Sequence, residues 1–184
     1  MSMRKLVITQ NITLGGSIEM LDDWFDPHNQ DDELLAETHR QDAECDAMLL
    51  GRKTFEDFRG YWPVQSDDQT GIAGYLNDVA KYVVSATMTD PRWTNSTVVG
   101  GDPVNRVLEL KSQPGKDIVL TGISLAHSLI AARVVDEYRL FVYPVVQGRG
   151  RRLFPHGVSM SGLTSVEPPK SFPSGIALLR YAAN

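Results

Sequence analysis

Apolar residues fall in two rhythms along this chain, unbroken short runs and runs spaced three or four residues apart, and the two alternate for most of its length. Unbroken runs predict buried strands, and spaced ones predict helices with one apolar face. The clearest unit covers residues 117–144, DIVLTGISLAHSLIAARVVDEYRLFVYP. Ile118, Val119 and Leu120 form a strand and Thr121 and Gly122 break it. Ser124 then stands as the N-cap of a helix whose inner face is Leu125, Leu129, Ile130 and Val134. Asp136 and Glu137 hand over to a second strand within residues 140–146.

The same pattern orders the rest. Residues 5–10 predict the first strand, and residues 11–18, NITLGGSI, a loop in which Gly15 and Gly16 permit unusual backbone angles. Residues 21–28, LDDWFDPH, set Trp24 and Phe25 among acidic residues, and Asp31 or Asp32 then caps a helix running to about Ala43 with Leu34, Leu35 and Thr38 on one face. A strand at residues 47–50 leads to Gly51, after which Thr54 as N-cap and Asp57 three residues on open another helix. Helices around residues 72–79 and 104–111, the second with Val104, Val107 and Leu108 inward, alternate with strands at 81–86 and 97–99. Leu178, Leu179 and Tyr181 provide a final edge strand.

Composition narrows the classes. With 184 residues, 42% apolar and 22% charged, the chain suits one globular domain over residues 1–184. A formal net charge of −5 argues against nucleic acid or an anionic membrane as partner. Cys45, the single cysteine, rules out an intramolecular disulfide and a CxxC metal site, so it is read as a core residue in a reducing compartment, and no metal is expected. The N-terminal apolar run, Leu6 to Ile8, is too short for a signal peptide, and no run reaches the roughly 20 residues of a membrane span. A cytoplasmic protein is expected.

Two strand–glycine–helix corners carry the candidate chemistry. At residues 51–54, GRKT, Gly51 lets the backbone approach a phosphate, free helix amides and the Thr54 hydroxyl donate to it, and Arg52 offers a two-pronged grip on a terminal phosphate. At residues 121–125, TGISL, the second corner is neutral. Each alone also reads as an ordinary turn, since the GxGxxG fingerprint is absent. Together they match what one dinucleotide asks of two separate turns. Ser85 lies near a strand end, where loops of open α/β sheets meet ligands. Trp24 and Phe25 either wall a pocket for a flat ring or pack in the core. Arg149, Arg151 and Arg152, after Gly148, either hold an anionic group or form a solvated loop.

Residues 50–56 (LGRKTFE), 61–63 (YWP), 81–85 (KYVVS), 121–125 (TGISL), 135–140 (VDEYRL) and 144–154 (PVVQGRGRRLF) carry a resemblance to the dihydrofolate reductase superfamily. Within it, the chain is similar to bacterial proteins akin to the C-terminal reductase domain of the riboflavin-biosynthesis deaminase-reductase. The resemblance implies a single α/β domain, a mostly parallel central sheet of about eight strands flanked by helices, binding NADPH across its carboxyl ends. It puts Gly51, Arg52 and Thr54 on the phosphates, with Arg52 favouring the 2′-phosphate of NADPH, and Ser85 by the adenosine end. Thr121, Gly122, Ile123, Ser124 and Leu125 would line the pyrophosphate and nicotinamide, with Thr13, Gly15 and Gly16 in the covering loop. Trp24, Leu35, Gly148 and Arg149 are the substrate-side candidates. Leu35 stands where true dihydrofolate reductases carry a carboxylate, which weighs against folate. The implied activity is hydride transfer from NADPH to a C=N or C=O group of a small heterocyclic substrate. The proton source stays open among Glu33, Glu37, His39 and water. A nucleotide-binding protein without catalysis and a stand-alone riboflavin-pathway reductase are the rivals. A homodimer with paired C-terminal strands is also implied.

Overall fold

The computed structural model describes residues 3–26 and 31–183; Pro27 and His28 of the LDDWFDPH stretch lie outside them. The chain runs β1 (Leu6–Thr13), α1 (Asp32–Ala43), β2 (Cys45–Gly51), α2 (Arg52–Tyr61), a 3₁₀ turn (Trp62–Val64), α3 (Ile72–Asp78), β3 (Ala80–Val84) and β4 (Ser96–Val99). It continues through α4 (Pro103–Ser112), β5 (Asp117–Thr121), α5 (Ile123–Ala131), β6 (Glu137–Tyr143), β7 (Thr164–Ser165), β8 (Lys170–Ser171) and β9 (Ala177–Ala182). The strands form one sheet ordered β4-β3-β2-β5-β1-β6-β9-β7, with β8 also paired to β9. The first six in that order are parallel, and the C-terminal strands are antiparallel.

β1 lies at the centre because it is apolar on both faces: Leu6, Val7 and Ile8 are fully buried. Leu6 and Ile8 pack with Leu49, Ile118 and Leu120 under Val107 of α4 and Leu129 and Ile130 of α5. Val7 faces the other way, with Met48, Leu50 and Val119 under Phe55 of α2 and Leu76 of α3. α1 completes that second layer through Leu34, which meets Phe141 and Tyr143 of β6.

Several expectations shift. β1 runs on to Thr13, since Asn11, Ile12 and Thr13 pair with Phe141, Val142 and Tyr143; ladder bonding to β6 overrides their polar composition. The sheet has nine strands, and β9 is not its edge. β6 pairs one side of β9 and the short β7 and β8 cover the other, so a dimer made by pairing free C-terminal edges has no β9 edge to use. α4 starts at Pro103 behind an Asp102 cap and buries Val107, Leu110 and Lys111, leaving Leu108 exposed. Lys111 is accommodated because its Nζ reaches Asp136 at 2.6 Å. No helix among the described residues is long and apolar enough to cross a membrane.

A buried charge network fastens the sheet's antiparallel end. Glu137 is fully buried and accepts from Arg139 Nε and Arg180 Nε, each at 2.9 Å, while Lys5 Nζ reaches it at 3.2 Å. Burial opposes ionisation of Glu137, but hydrogen bonds and charge from Arg139 and Arg180 outweigh it and hold the carboxyl at about 2. On α1, burial likewise opposes ionisation of Glu37, and bonds from Arg40, Gln41 and Lys170 win, again leaving about 2. Both carboxyls are depressed from 4.5, so the unfolded chain binds more protons in acid. Stability is then whole above about pH 4.5 and drains away as pH falls toward 2. A urea-denaturation series across that interval is expected to lose several kcal/mol; a flat profile contradicts the network's contribution.

Candidate functional site

The two glycine corners adjoin. Gly51 closes β2 and Thr121 closes β5, neighbouring parallel strands in which Leu50 pairs with Thr121, so α2 and α5 start side by side at the sheet's carboxyl edge. A Cβ built on Gly122 would lie 2.8 Å from Thr54 Oγ1 and 3.7 Å from Gly51 N. The sequence suggested two separate turns; the register makes them one cradle.

The caps differ from expectation in a way that matters. α2 is capped by Gly51 and α5 by Gly122, and neither receives a side-chain cap, so Thr54 and Ser124 lie inside their helices and Asp57 pairs with Lys53 instead. Elsewhere side chains fill that role. Asp31 accepts from Leu34 N and Asp102 from Asn105 N, and the start of α3 is held by Thr70 Oγ1 and Asp68 Oδ2. Among the α-helices of the described residues, α2 and α5 start without a side-chain cap, with the positive end of each helix dipole beside their first-turn amides. The residues present therefore fit a pyrophosphate.

Beside this corner is a polar cleft of about 310 Å³ lined by Arg52, Glu56, Arg59, residues 87–90 of the turn after β3 and Arg92, which pairs with Asp90 at 3.0 Å. Ser85 shapes that turn, its Oγ accepting from Thr87 N and Met88 N at 3.2 and 3.0 Å. Arg52 is half-exposed and bonds both Glu56 oxygens at 3.2 Å. An exposed pair of this kind is worth only about 0–1 kcal/mol, so it yields readily to a phosphate.

On the α1 face, a cavity of about 200 Å³ runs under the corner. Thr9 and Asn11 of β1, Val119 and Thr121 of β5 and Phe141 and Tyr143 of β6 line its sheet side. Phe25, Leu34, Thr38, Gln41, Asp42 and Tyr75 line the other, with Trp62 and Phe58 near α2. Thr121 thus belongs both to the cavity wall and to the glycine corner.

The substrate-side candidates fare unevenly. Leu34 and Thr38, not Leu35, face the cavity, because Leu34 is the α1 residue that packs on Phe141 and Tyr143. Phe25 lines it, whereas Trp24 stands edge-on to Tyr143 at 5.0 Å and donates Nε1 to Gln147 Oε1 at 2.9 Å. Gln147 Nε2 in turn reaches Ser17 Oγ and the Glu19 carbonyl, tying the turn of Thr13, Gly15 and Gly16 to the segment after β6. Gly148 and Arg149 lie in that segment, outside the cavity lining, and Arg149 pairs with Asp22 as Arg151 does with Glu19. Arg149 and Arg151 thus make exposed pairs within this loop.

Among the proposed proton sources, Glu37 faces Arg40 and Lys170, and His39 bonds the Thr70 carbonyl at 2.6 Å; Glu33 is exposed. The cavity's acid is Asp42, whose carboxyl burial pushes up to about 6. Sequence reasoning passed over Asp42, Gln41 and Tyr75, because a polar last turn of a helix looks solvated until α3 and β2 close over it. Cys45 is buried as expected, and desolvation raises its thiol to about 11.

Comparison with known proteins agrees with this architecture. The RibD C-terminal domain family matches residues 4–172, and the chain belongs to that family. A curated relative, the uncharacterized protein YyaP of Bacillus subtilis (strain 168), is 31% identical over 189 residues, covering 98% of this chain and 96% of its own. A pyrimidine reductase-like protein from Corynebacterium diphtheriae superposes with a TM-score of 0.66 at 16% identity, covering 98% of this chain and 92% of the other. Dihydrofolate reductase from Enterococcus faecalis, complexed with NADP(H) and RAB-propyl, gives a TM-score of 0.65 at 16% identity, covering 98% and 96%. The chain therefore shares its fold with that dihydrofolate reductase.

Proposed function

We propose that this protein is an NADPH-dependent reductase acting on a C=N or C=O group of a small heterocyclic substrate. One observation carries the reading most: Thr121 lines the cavity and leads directly into a cradle of two uncapped helix starts. The amides of α2 and α5 would hold the pyrophosphate, and Arg52, with Arg59 and Arg92 nearby, the adenosine 2′-phosphate. Thr13, Gly15 and Gly16 would cover the mouth, and the cavity would take the substrate. When bound, the reduced nicotinamide supplies the hydride; the protein's own residues position the acceptor and exclude water. A homodimer belongs to the same reading, through a surface other than β9.

The test is a pair of titrations followed by turnover. Intrinsic fluorescence should report tighter binding of NADPH than of NADH. Arg52→Ala should weaken NADPH by about 1–3 kcal/mol while leaving NADH almost unchanged. Equal loss for both cofactors, or none, contradicts the assignment of Arg52. Cofactor oxidation against pterins, pyrimidinones, quinones and aldehydes should then find an acceptor. Tight NADPH binding with no oxidation on any of them would reduce the protein to a nucleotide-binding module.

A further inference from the structure

Two buried polar atoms among the described residues have no hydrogen-bond partner, Gln41 Oε1 and Tyr75 Oη, and both residues line the same cavity. Gln41 is only 3% exposed, and its amide is not free to turn. Its Nε2 donates to Glu37 Oε1 at 2.9 Å, and Glu37 is clamped by Arg40 and Lys170 in a form that only accepts. The amide nitrogen must therefore face Glu37, which leaves the oxygen as a fixed acceptor. Leaving such a carbonyl and a phenol buried without partners costs folding stability, and apolar side chains of similar size would avoid that cost. Sites that tolerate it are commonly ones kept for a ligand.

The pair sits at the far end of the cavity from the glycine corner. Gln41 and Asp42 stand in the last turn of α1, just before Cys45 opens β2, and the charges of Asp42 and Cys45 act on the Tyr75 phenol. Cys45 pairs with Asp117 at the start of β5, whereas Thr121 ends that strand. Four residues of strand separate the two levels, about 13 Å. A single six-membered ring cannot touch both.

We propose that Gln41 and Tyr75 read the non-reacting end of an elongated planar substrate, one whose ring N–H donates to Gln41 Oε1 and whose second polar edge meets the Tyr75 hydroxyl. Which end reacts rests on the reductase reading above; the recognition itself does not. Asp42 stands on the same wall as a third polar group, donating or accepting according to its proton. The specificity device is then the ion cluster on α1 and β8, because it sets which way the Gln41 amide points.

The probes are carbostyril, a two-ring lactam with an N–H, and its N-methyl derivative, titrated by ligand-observed NMR into the cofactor-free protein. Carbostyril should bind at least tenfold more tightly than the N-methyl compound, and Gln41→Met should erase the difference. Tyr75→Phe should weaken carbostyril several-fold with the melting temperature unchanged or raised, because it removes a hydroxyl that the fold leaves unsatisfied; a purely structural tyrosine would lose stability instead. Equal binding of the two probes, no binding of carbostyril up to its solubility limit, or a preference that survives Gln41→Met would each overturn the proposal. Should Gln41→Met fail to fold, Tyr75→Phe decides: carbostyril affinity unchanged in that variant overturns it. A parallel NADPH titration of the wild type separates the two ideas, since failure there indicts the glycine corners and not the polar pair.

Discussion

Replacing Gly122 with alanine is expected to weaken NADPH binding at least tenfold and to lower folding stability by roughly 1–3 kcal/mol. Gly122 sits at φ 116° and ψ 131°, a conformation that any residue with a Cβ adopts only under strain. The new methyl would also stand 2.8 Å from Thr54 Oγ1, closer than real Cβ contacts occur, with Gly51 N behind it at 3.7 Å. Rotation of the Thr54 hydroxyl relieves only part of the clash, since Thr54 Cβ, fixed to the first turn of α2, would stand at 3.4 Å, so the cradle is pushed open where the proposed pyrophosphate meets both helices. The control is Gly60→Ala on α2, where nothing lies within 4 Å of the added carbon. That change should be neutral or stabilising by about 0.5–1 kcal/mol. Urea denaturation and fluorescence titration read both variants, and a Gly122→Ala protein with wild-type affinity would show that the close approach of the corners is irrelevant to the cofactor.

The largest effect on folding is expected from Glu137→Ala, about 3–5 kcal/mol. Its carboxylate is the shared acceptor of Arg139 and Arg180, which are themselves buried. Removing it leaves two guanidinium groups in the sheet interior with Glu44, Asp117 and Glu167 as remaining partners. Against a typical net stability of about 5–15 kcal/mol, this change alone could halve what holds the fold together. Chemical denaturation gives the value directly, and a loss under about 1 kcal/mol would mean the neighbouring carboxylates compensate fully. Because Arg139 Nη1 also reaches Cys45 Sγ at 3.8 Å, the network lies directly beneath the cavity's deep end. Partial unfolding there should loosen ligand recognition before it affects the glycine corner.

How far the chain could be read without coordinates depended on how local each signal was. The βαβ unit around Gly122 was legible because its strand, glycine and helix are contiguous, and the RibD C-terminal family followed from motifs of that contiguous kind. The caps were misread where serine or threonine stood near a glycine. Ser124 and Thr54 are good caps in isolation, but the abrupt turn at the end of a parallel strand starts the helix immediately after the glycine. Asn11 and Thr13 looked like loop because nothing in their composition announces the β6 ladder that pairs with them. The C-terminal strand was recognised as a strand but not as an interior one, since Thr164–Ser165 and Lys170–Ser171 are too short to carry any periodicity of their own.

The site divided along the same line. The two glycine corners proposed for the pyrophosphate lie on short motifs, each legible in the sequence. The cavity draws one to four residues from each of several elements, and its polar end joins Gln41 and Asp42 of α1 to Tyr75 of α3, more than thirty positions away. No spacing rule links them. Glu37 illustrates the converse: the sequence leaves it open as one proton source among Glu33, His39 and water, whereas in the fold it pairs with Arg40 and Lys170 and accepts from Gln41.

The most direct test is a crystal structure of the protein with NADPH. The prediction is a pyrophosphate within hydrogen-bonding distance of the first backbone amides of both α2 and α5, with the 2′-phosphate beside Arg52. A nucleotide bound anywhere else, with those amides facing only solvent, would contradict it.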